Sequence, residues 1–392
     1  MDAFYASVEL LRYPELRGLP VVVGGGSRHQ PVTQADGSRS FARLRDYVGR
    51  GVITTATYAA RDLGVHSGLG LMKAAALAPD AVLLPTDFDE YRRFSLRFKA
   101  AVADVASIIE DRGIDELFID LSDVAGAWNG NASDAHAGIR SIAMDIKARV
   151  KAATGLTCSI GITPNKLLAK LCSDLDKPDG LTILTMADIP QRIWPLPVRR
   201  INGVGPKANE RLAGFGICTI GDLAAADPAA LRRDFGVHYG AWLHEAAHGR
   251  DDRPVVTHRE PKSISRETTF ETDLHPRSDR AVLGRIFTQL CERLSVDLRA
   301  KHYSAQSIGI KLRYHDFRIV TRELSLTAPI DDARAIRQAA GQCLLRVPLD
   351  QRLRLLGVRA GALRNASGEI LALTAAPAAP AAPIATTGSL FQ

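Results

Sequence analysis

Apolar positions along the chain follow two rhythms. Short β-branched or alternating runs mark strands at 19–25 (LPVVVGG), 51–58 (GVITTATY), 114–122 (IDELFIDLS), 156–163 (LTCSIGIT) and 307–317 (SIGIKLRYHDF). Helical spacing marks 3–12, a stretch from Ala59, then 88–110, 133–153, 165–175, 280–300 and 331–346. Asp2 stands where it would cap the first of these helices. From 85 to about 175 the order is helix, strand, helix, strand, helix, which predicts a sheet with helices on one face. Residues 262–364 mix strands and amphipathic helices again, a second α+β domain.

Between these segments the pattern breaks. Residues 26–50 are polar and irregular, a long loop or solvated insertion. Residues 177–250 are mostly short helices, and 251–261 (DDRPVVTHREP) is a polar, proline-bearing linker. Residues 374–388 are Ala/Pro-rich and read as an extended tether, after which Leu390 and Phe391 turn apolar. We find no internal repeat.

Composition excludes several classes. No run approaches the roughly 18 apolar residues of a membrane span, and the N-terminus lacks the layout of a signal peptide. The five cysteines (Cys158, Cys172, Cys218, Cys291, Cys343) form no CxxC pair, which argues against a zinc site or a secreted disulfide framework. A reduced, cytoplasmic protein is expected. The net charge of +7 is unevenly placed: residues 251–364 hold 21 Lys+Arg against 14 Asp+Glu, whereas 1–250 hold 29 against 28. A basic segment on a near-neutral body suits a polyanion partner, or simply a solvated basic surface.

Candidate chemistry lies in a few places. Asp115 and Glu116 adjoin in an apolar context; they are either solvated acids at a strand end or ligands of a hard cation such as Mg²⁺. Tyr58 and Arg61 share a face where a strand becomes a helix, placed for phosphate or for plain packing. Lys166 opens the helix after LTCSIGIT and Lys170 lies one turn on; lysines at a helix start are more natural if an anion sits there. The run 201–207 (INGVGPK) matches a helix–hairpin–helix, in which Gly203 and Gly205 let the backbone approach phosphate beside Lys207. The alternative is an ordinary helix corner.

Six stretches then carry a resemblance: MDAFYASVE (1–9), TYAARDLGV (57–65), GIDELFID (113–120), SIGITPNKLLAKLCSDLDKPDG (159–180), INGVGPKANERLAGFGICTIGDLA (201–224) and KSISRETTF (262–270). In this order and spacing the chain resembles the Y-family of translesion DNA polymerases, in particular its bacterial DNA polymerase IV branch. The resemblance implies an α+β multidomain right hand with a ferredoxin-like palm (1–10 and 85–176), small fingers (11–84, with an insertion at 26–50), a helical thumb (177–250), the linker 251–261 and a little-finger domain (262–364). A flexible tail (365–392) would end in a clamp-binding peptide at Leu390 and Phe391. It implies error-prone synthesis from dNTPs on primer-template DNA, without proofreading, by a monomer that uses two Mg²⁺ ions and a sliding clamp. Asp115 and Glu116 would be metal ligands and catalytic, and Tyr58, Arg61 and Lys166 would hold the triphosphate. Tyr5 would be the steric gate that excludes a ribose 2′-OH, with Phe4 beside it.

Two departures stand out. Family members begin with an apolar strand ending in Asp-x-Asp, whose first Asp binds metal; here Met1 occupies the x position and Asp2 the second Asp. The first carboxylate and its strand are missing from the palm, so we expect Met1 to be an internal methionine, and a chain starting at Met1 to be a very weak polymerase. The loop 26–50 is longer than is usual. The competing readings are a crippled relative that holds DNA and clamp for another polymerase, and a helix–hairpin–helix DNA-binding protein without nucleotide chemistry. Binding of dNTP that depends on Arg61 and Lys166 would argue against the latter.

Overall fold

The computed structural model describes residues 1–365, in two compact units that meet at His258/Arg259. The first unit runs α1 (Phe4–Arg12), β1 (Val21–Gly24), β2 (Val32–Thr33), β3 (Arg39–Ser40), β4 (Ala42–Arg43), β5 (Ile53–Ala56), α2 (Tyr58–Arg61), α3 (Leu71–Leu77) and β6 (Val82–Leu84). It continues with α4 (Phe88–Ala103), β7 (Ile109–Asp111), β8 (Leu117–Ile119), α5 (Ala137–Thr154), β9 (Ile160–Ile162), α6 (Lys166–Cys172) and β10 (Leu181–Ile183). Four helices close it: α7 (Pro206–Gly214), α8 (Ile220–Ala225), α9 (Pro228–Phe235) and α10 (Val237–Ala247).

The apolar run at 19–25 becomes β1, which is buried throughout and central in a sheet of order β4-β6-β1-β5. It pairs antiparallel with β5 and parallel with β6. Helix α1 and the aromatic face of α4 pack on this sheet through Phe4, Tyr91 and Phe94. Helices α4 and α5 share a further core at Phe98, Val102, Ile146 and Val150. The residues of α6 pack with α7, α8 and α10 around Leu168, Leu212, Ile220 and Leu243, so the core of the helical segment begins before residue 177. All five cysteines are free thiols.

Several expectations need correcting. Asp2 does not cap α1: the helix starts from Ala3 in a left-handed conformation with no side-chain cap. Instead the buried Asp2 carboxylate accepts from the Ser159 hydroxyl (2.7 Å) and the Asp179 N–H (2.9 Å). Burial opposes its charge, but these bonds hold its pKa below the usual range. Helix α4 ends at Ala103 rather than 110, because Ile109–Asp111 pairs with Leu117–Ile119 in a hairpin. The strand expected over 114–122 therefore shrinks to 117–119. The segment 26–50 is more than a solvated loop. It holds the hairpin β2–β3 and the edge strand β4, and it sends Leu44 and Tyr47 into the core. The Tyr47 hydroxyl accepts from Gly51 N–H at 2.8 Å.

The second unit runs β11 (Ser263–Leu274), α11 (Arg280–Ala300), β12 (Tyr303–Tyr314), β13 (Ile319–Ile330), α12 (Ala333–Leu344) and β14 (Leu353–Asn365). Its strands form an antiparallel sheet of order β11-β14-β12-β13. Alternation sorts the faces: Ile308, Ile310, Leu312, Leu356 and Val358 pack on α11 and α12 around Leu290, Leu294 and Ile336. No helix among the described residues is long and apolar enough to cross a membrane.

Candidate active site and nucleic-acid interface

The acidic pair sits in the bend between β7 and β8, which answers how two neighbouring carboxylates can serve one site. Gly113 adopts φ +147°, and its N–H is held by Asp111 Oδ1 at 3.0 Å. The bend removes the strand alternation that would send Asp115 and Glu116 to opposite faces. Asp115 is half-buried; burial pushes its carboxyl pKa up, the Met1 ammonium opposes this and Glu116 adds to it. The Met1 amino group donates to the Asp115 carbonyl at 2.8 Å, and burial lowers its own pKa. Glu116 is exposed and ion-paired with Lys170.

Both acids line a cavity of about 760 Å³. Its apolar lining includes Phe98, Val102, Leu117, Ile119, Ile160 and Ile162. Strands β8 and β9 border it yet belong to separate two-stranded sheets, so each presents an edge there. As cation ligands, Asp115 and Glu116 offer hard oxygens, one of them held partly out of water without a hydrogen-bonding partner for its carboxylate among the described residues. That suits Mg²⁺, which needs one or two protein carboxylates plus phosphate. Among the described residues no cluster of three or more His, Cys, Asp or Glu completes a fuller set.

Tyr5 and Tyr58 pack against the same core as Met1 and Ile114. Tyr5 stacks on Tyr91 (centroids 4.4 Å apart), with Phe88 and Phe4 at 5.9 and 5.5 Å, and burial raises its pKa with Asp115 adding to the effect. Phe4 itself is fully in the core. Arg61 lies over the Tyr58 ring at 4.8 Å and donates through Nε to the Ala56 carbonyl, and no carboxylate pairs with it among the described residues. The Tyr58 hydroxyl is buried without a hydrogen-bond partner, and burial with Asp2 nearby pushes its pKa up to about 12. An unsatisfied buried hydroxyl costs about 1–3 kcal/mol, so the site is incomplete without an acceptor.

Lys166 opens α6 and lines the same cavity as the acids, but its charge is already engaged. Its ammonium is buried, bonded to Glu110 Oε2 at 2.7 Å and to the Pro254 carbonyl at 2.6 Å. The same Glu110 oxygen accepts from Val256 N–H (3.0 Å), while Asp251 accepts from Leu167 N–H (2.9 Å). The first half of the expected linker is thereby strapped to α6, and the anion that Lys166 meets is the Glu110 carboxylate. Glu110→Ala would leave that ammonium buried without its counter-charge; a loss of about 3 kcal/mol is expected, read by urea denaturation.

Sequence reasoning overlooked two groups here. Lys177 lines the cavity with the acids, and its charge acts on both Asp115 and Met1. Asp174 links it (2.6 Å) to Lys170 (3.9 Å). The signal was in view, as the DLDKPDG run closes one of the six stretches, but Lys166 drew attention by opening the helix.

The hairpin at 201–207 forms as expected. Gly203 takes φ +117° over Trp242, where a Cβ would come within 2.6 Å of the indole, and its carbonyl accepts from the Tyr239 hydroxyl at 2.9 Å. Gly205 precedes α7 with open space where a Cβ would stand, Pro206 opens the helix, and Lys207 is exposed. In the second unit, the face opposite the helices carries Ser307, Lys311 and Arg359 beside Gly309, Gly357 and Gly361. Lys311 bonds Glu267 and Arg359 approaches Glu323. Leu390 and Phe391 lie outside the described residues.

Comparison with known proteins completes the picture. Residues 1–174 match the model of the impB/mucB/samB family, 261–373 that of its C-terminal domain, and 199–251 that of the DNA polymerase-iota thumb domain. DNA polymerase IV of Methanoculleus marisnigri is 38% identical over 365 residues, 93% of each chain. DNA polymerase IV of Streptomyces coelicolor is 36% identical over 376 residues, 96% of this chain and 72% of that one. Among solved structures, a Dbh–Dpo4–Dbh chimera of Y-family polymerases superposes with a TM-score of 0.73 at 24% identity, covering 92% of this chain and 96% of the other.

Proposed function

The chain belongs to the Y-family of DNA polymerases, with relatives of the DNA polymerase IV type, and from this we propose that it carries out template-directed, error-prone translesion DNA synthesis without proofreading. In that reaction the primer 3′-hydroxyl oxygen bonds to the α-phosphorus of a dNTP, the bond to the bridging oxygen breaks, and pyrophosphate leaves with the hydroxyl proton lost to solvent. The observation that carries this reading is one cavity edged by the adjacent acids Asp115 and Glu116 and the cations Lys170 and Lys177. Asp115 and Glu116 would hold Mg²⁺, two ions by family analogy, and when bound these stabilise the attacking and leaving oxygens.

The chain's own groups supply the rest. Arg61 and the unsatisfied Tyr58 hydroxyl suit the triphosphate, with Lys177 taking the place first expected of Lys166. Tyr5, braced by Tyr91 and Phe88, suits the steric gate. The hairpin at Gly203, Gly205 and Lys207 suits the DNA backbone, and the charge excess of the second unit supports a further contact along DNA. We further infer a cytoplasmic monomer with palm, fingers, thumb and little-finger domains in the order the sequence suggested, whose terminal Leu390 and Phe391 dock on a sliding clamp.

Primer extension on a defined template with dNTPs and Mg²⁺ tests the reading. Template-independent products, or none under any extension of the assay, would sink it. Tyr5→Ala should raise ribonucleotide incorporation at least about tenfold relative to dNTP, because a cavity replaces the ring that would meet a 2′-OH. Unchanged discrimination would move the gate to another residue.

A further inference from the structure

At the end of α10 two histidines stand one turn apart. His244 is in the last turn and His248 is the C-cap, with ring centroids 4.5 Å apart. Spacing of i, i+4 puts them on one helix face. Their tautomers follow from their partners. His248 Nδ1 lies 2.8 Å from the His244 carbonyl oxygen, which only accepts, so Nδ1 carries the proton. His244 Nδ1 lies 3.3 Å from Glu245 Oε1, again an acceptor. In both neutral rings the lone pair is therefore on Nε2. Backbone carbonyl and carboxylate partners on the other nitrogen are what orient and strengthen imidazole as a metal ligand.

The setting adds three features. Both rings are half-buried, so they are held yet reachable. The helix C-terminus favours a cation. The turn behind them is fixed: Gly249, at φ +71°, would drive a Cβ to 2.4 Å from Ile189, and its carbonyl accepts from the Asn165 side chain at 2.7 Å. We propose that His244 and His248 form a two-imidazole site for a divalent transition-metal ion, such as Zn²⁺ or Cu²⁺, separate from the Asp115–Glu116 pair. Imidazole nitrogen selects such ions over Mg²⁺, and water fills the other positions. The assignment is independent of the polymerase reading. An ion there would lock the turn from which residues 249–256 run to the Lys166 strap.

Trp194 supplies the reporter. Its ring meets His248 edge-on at 6.5 Å, and its Nε1 donates to the Ala247 carbonyl at 3.1 Å. The untagged full chain is titrated with Cu²⁺ in the presence of excess Mg²⁺, following tryptophan fluorescence, and its melting is followed with Zn²⁺. We expect saturable quenching, a higher melting temperature, and binding weakened about tenfold or more by His244→Gln or His248→Gln. Trp194→Phe should lose the quench and keep the Zn²⁺ melting shift. Asp115→Asn should change neither. Identical titrations of the parent and the double His→Gln variant, both folded by circular dichroism, would overturn the proposal, as would loss of binding in Asp115→Asn.

Discussion

Asp115→Asn is expected to lower primer extension about 10³-fold while raising the melting temperature of the ion-free protein. Two opposite effects are expected because one carboxylate serves two conditions. Burial, with the neighbouring Glu116, raises the folded-state pKa of Asp115 above its unfolded value. The folded state therefore favours the protonated acid. Its contribution to stability falls as pH rises from the unfolded pKa through the folded one, and at pH 7 the charge is a cost. Asn keeps the shape and removes that cost. It also removes a hard anionic ligand, and loss of several kcal/mol of transition-state stabilisation is about three decades in rate. The melting advantage should shrink as pH falls towards the unfolded pKa, and Mg²⁺ should stabilise the parent more than the variant. DNA binding, measured by anisotropy, should be unchanged. An Asn variant that extends primers normally would remove Asp115 from the mechanism. Glu116→Gln should also lose activity but gain little stability, because Glu116 is exposed and already paired with Lys170.

A version of the chain lengthened upstream of Met1 by an apolar strand ending in Asp should melt about 5–10 °C higher and extend primers about 10²-fold faster. The cavity beside the acids has the lining for it, with apolar side chains from four elements and the edges of β8 and β9. Each apolar side chain buried there contributes about 1.5–3 kcal/mol and each ladder hydrogen bond about 1, against about 1–2 per residue for ordering the backbone. The net is a few kcal/mol. The extension would also convert the Met1 ammonium, whose burial lowers its pKa, into an uncharged peptide N–H. The added Asp supplies a third carboxylate for the ion. The same extension ending in Asn separates the two effects: it should keep the melting gain and lose the rate gain. Equal melting of the extended and parent chains would show that the cavity does not accept a strand.

Much of this was legible in residue order, and the misses have physical causes. Continuous runs such as 19–25 and strong amphipathic periods such as 280–300 fix their elements whatever surrounds them. The stretch 104–110 kept a helical period but gave way to a hairpin, since Ile109 and Glu110 gain more from pairing with β8 than from another helical turn. The polar run 26–50 hid two core residues, Leu44 and Tyr47, because isolated apolar positions have no period to reveal them. The acids drew notice by their oddness in an apolar run, and the structure sets them in a bend at the edge of the cavity. The partner of Lys166 was not legible, because a lysine at a helix start looks the same whether it meets a phosphate or a buried Glu110. That carboxylate lies 56 residues away in sequence and within a segment read as helix.

Helix α6 shows what such economy implies for the sequence's freedom to change. Lys166 and Lys170 hold Glu110 and Glu116, while Leu167, Leu168, Leu171 and Cys172 belong to the apolar core shared with α7, α8 and α10. The remaining position, Ala169, runs against Gly161, whose missing Cβ would come within 2.5 Å of the Ala169 carbonyl oxygen. A seven-residue helix thus has no neutral face. Drift that would repack the helical core must pass through the same two turns that set the cations around the acids, so the two regions are bound to vary together or not at all.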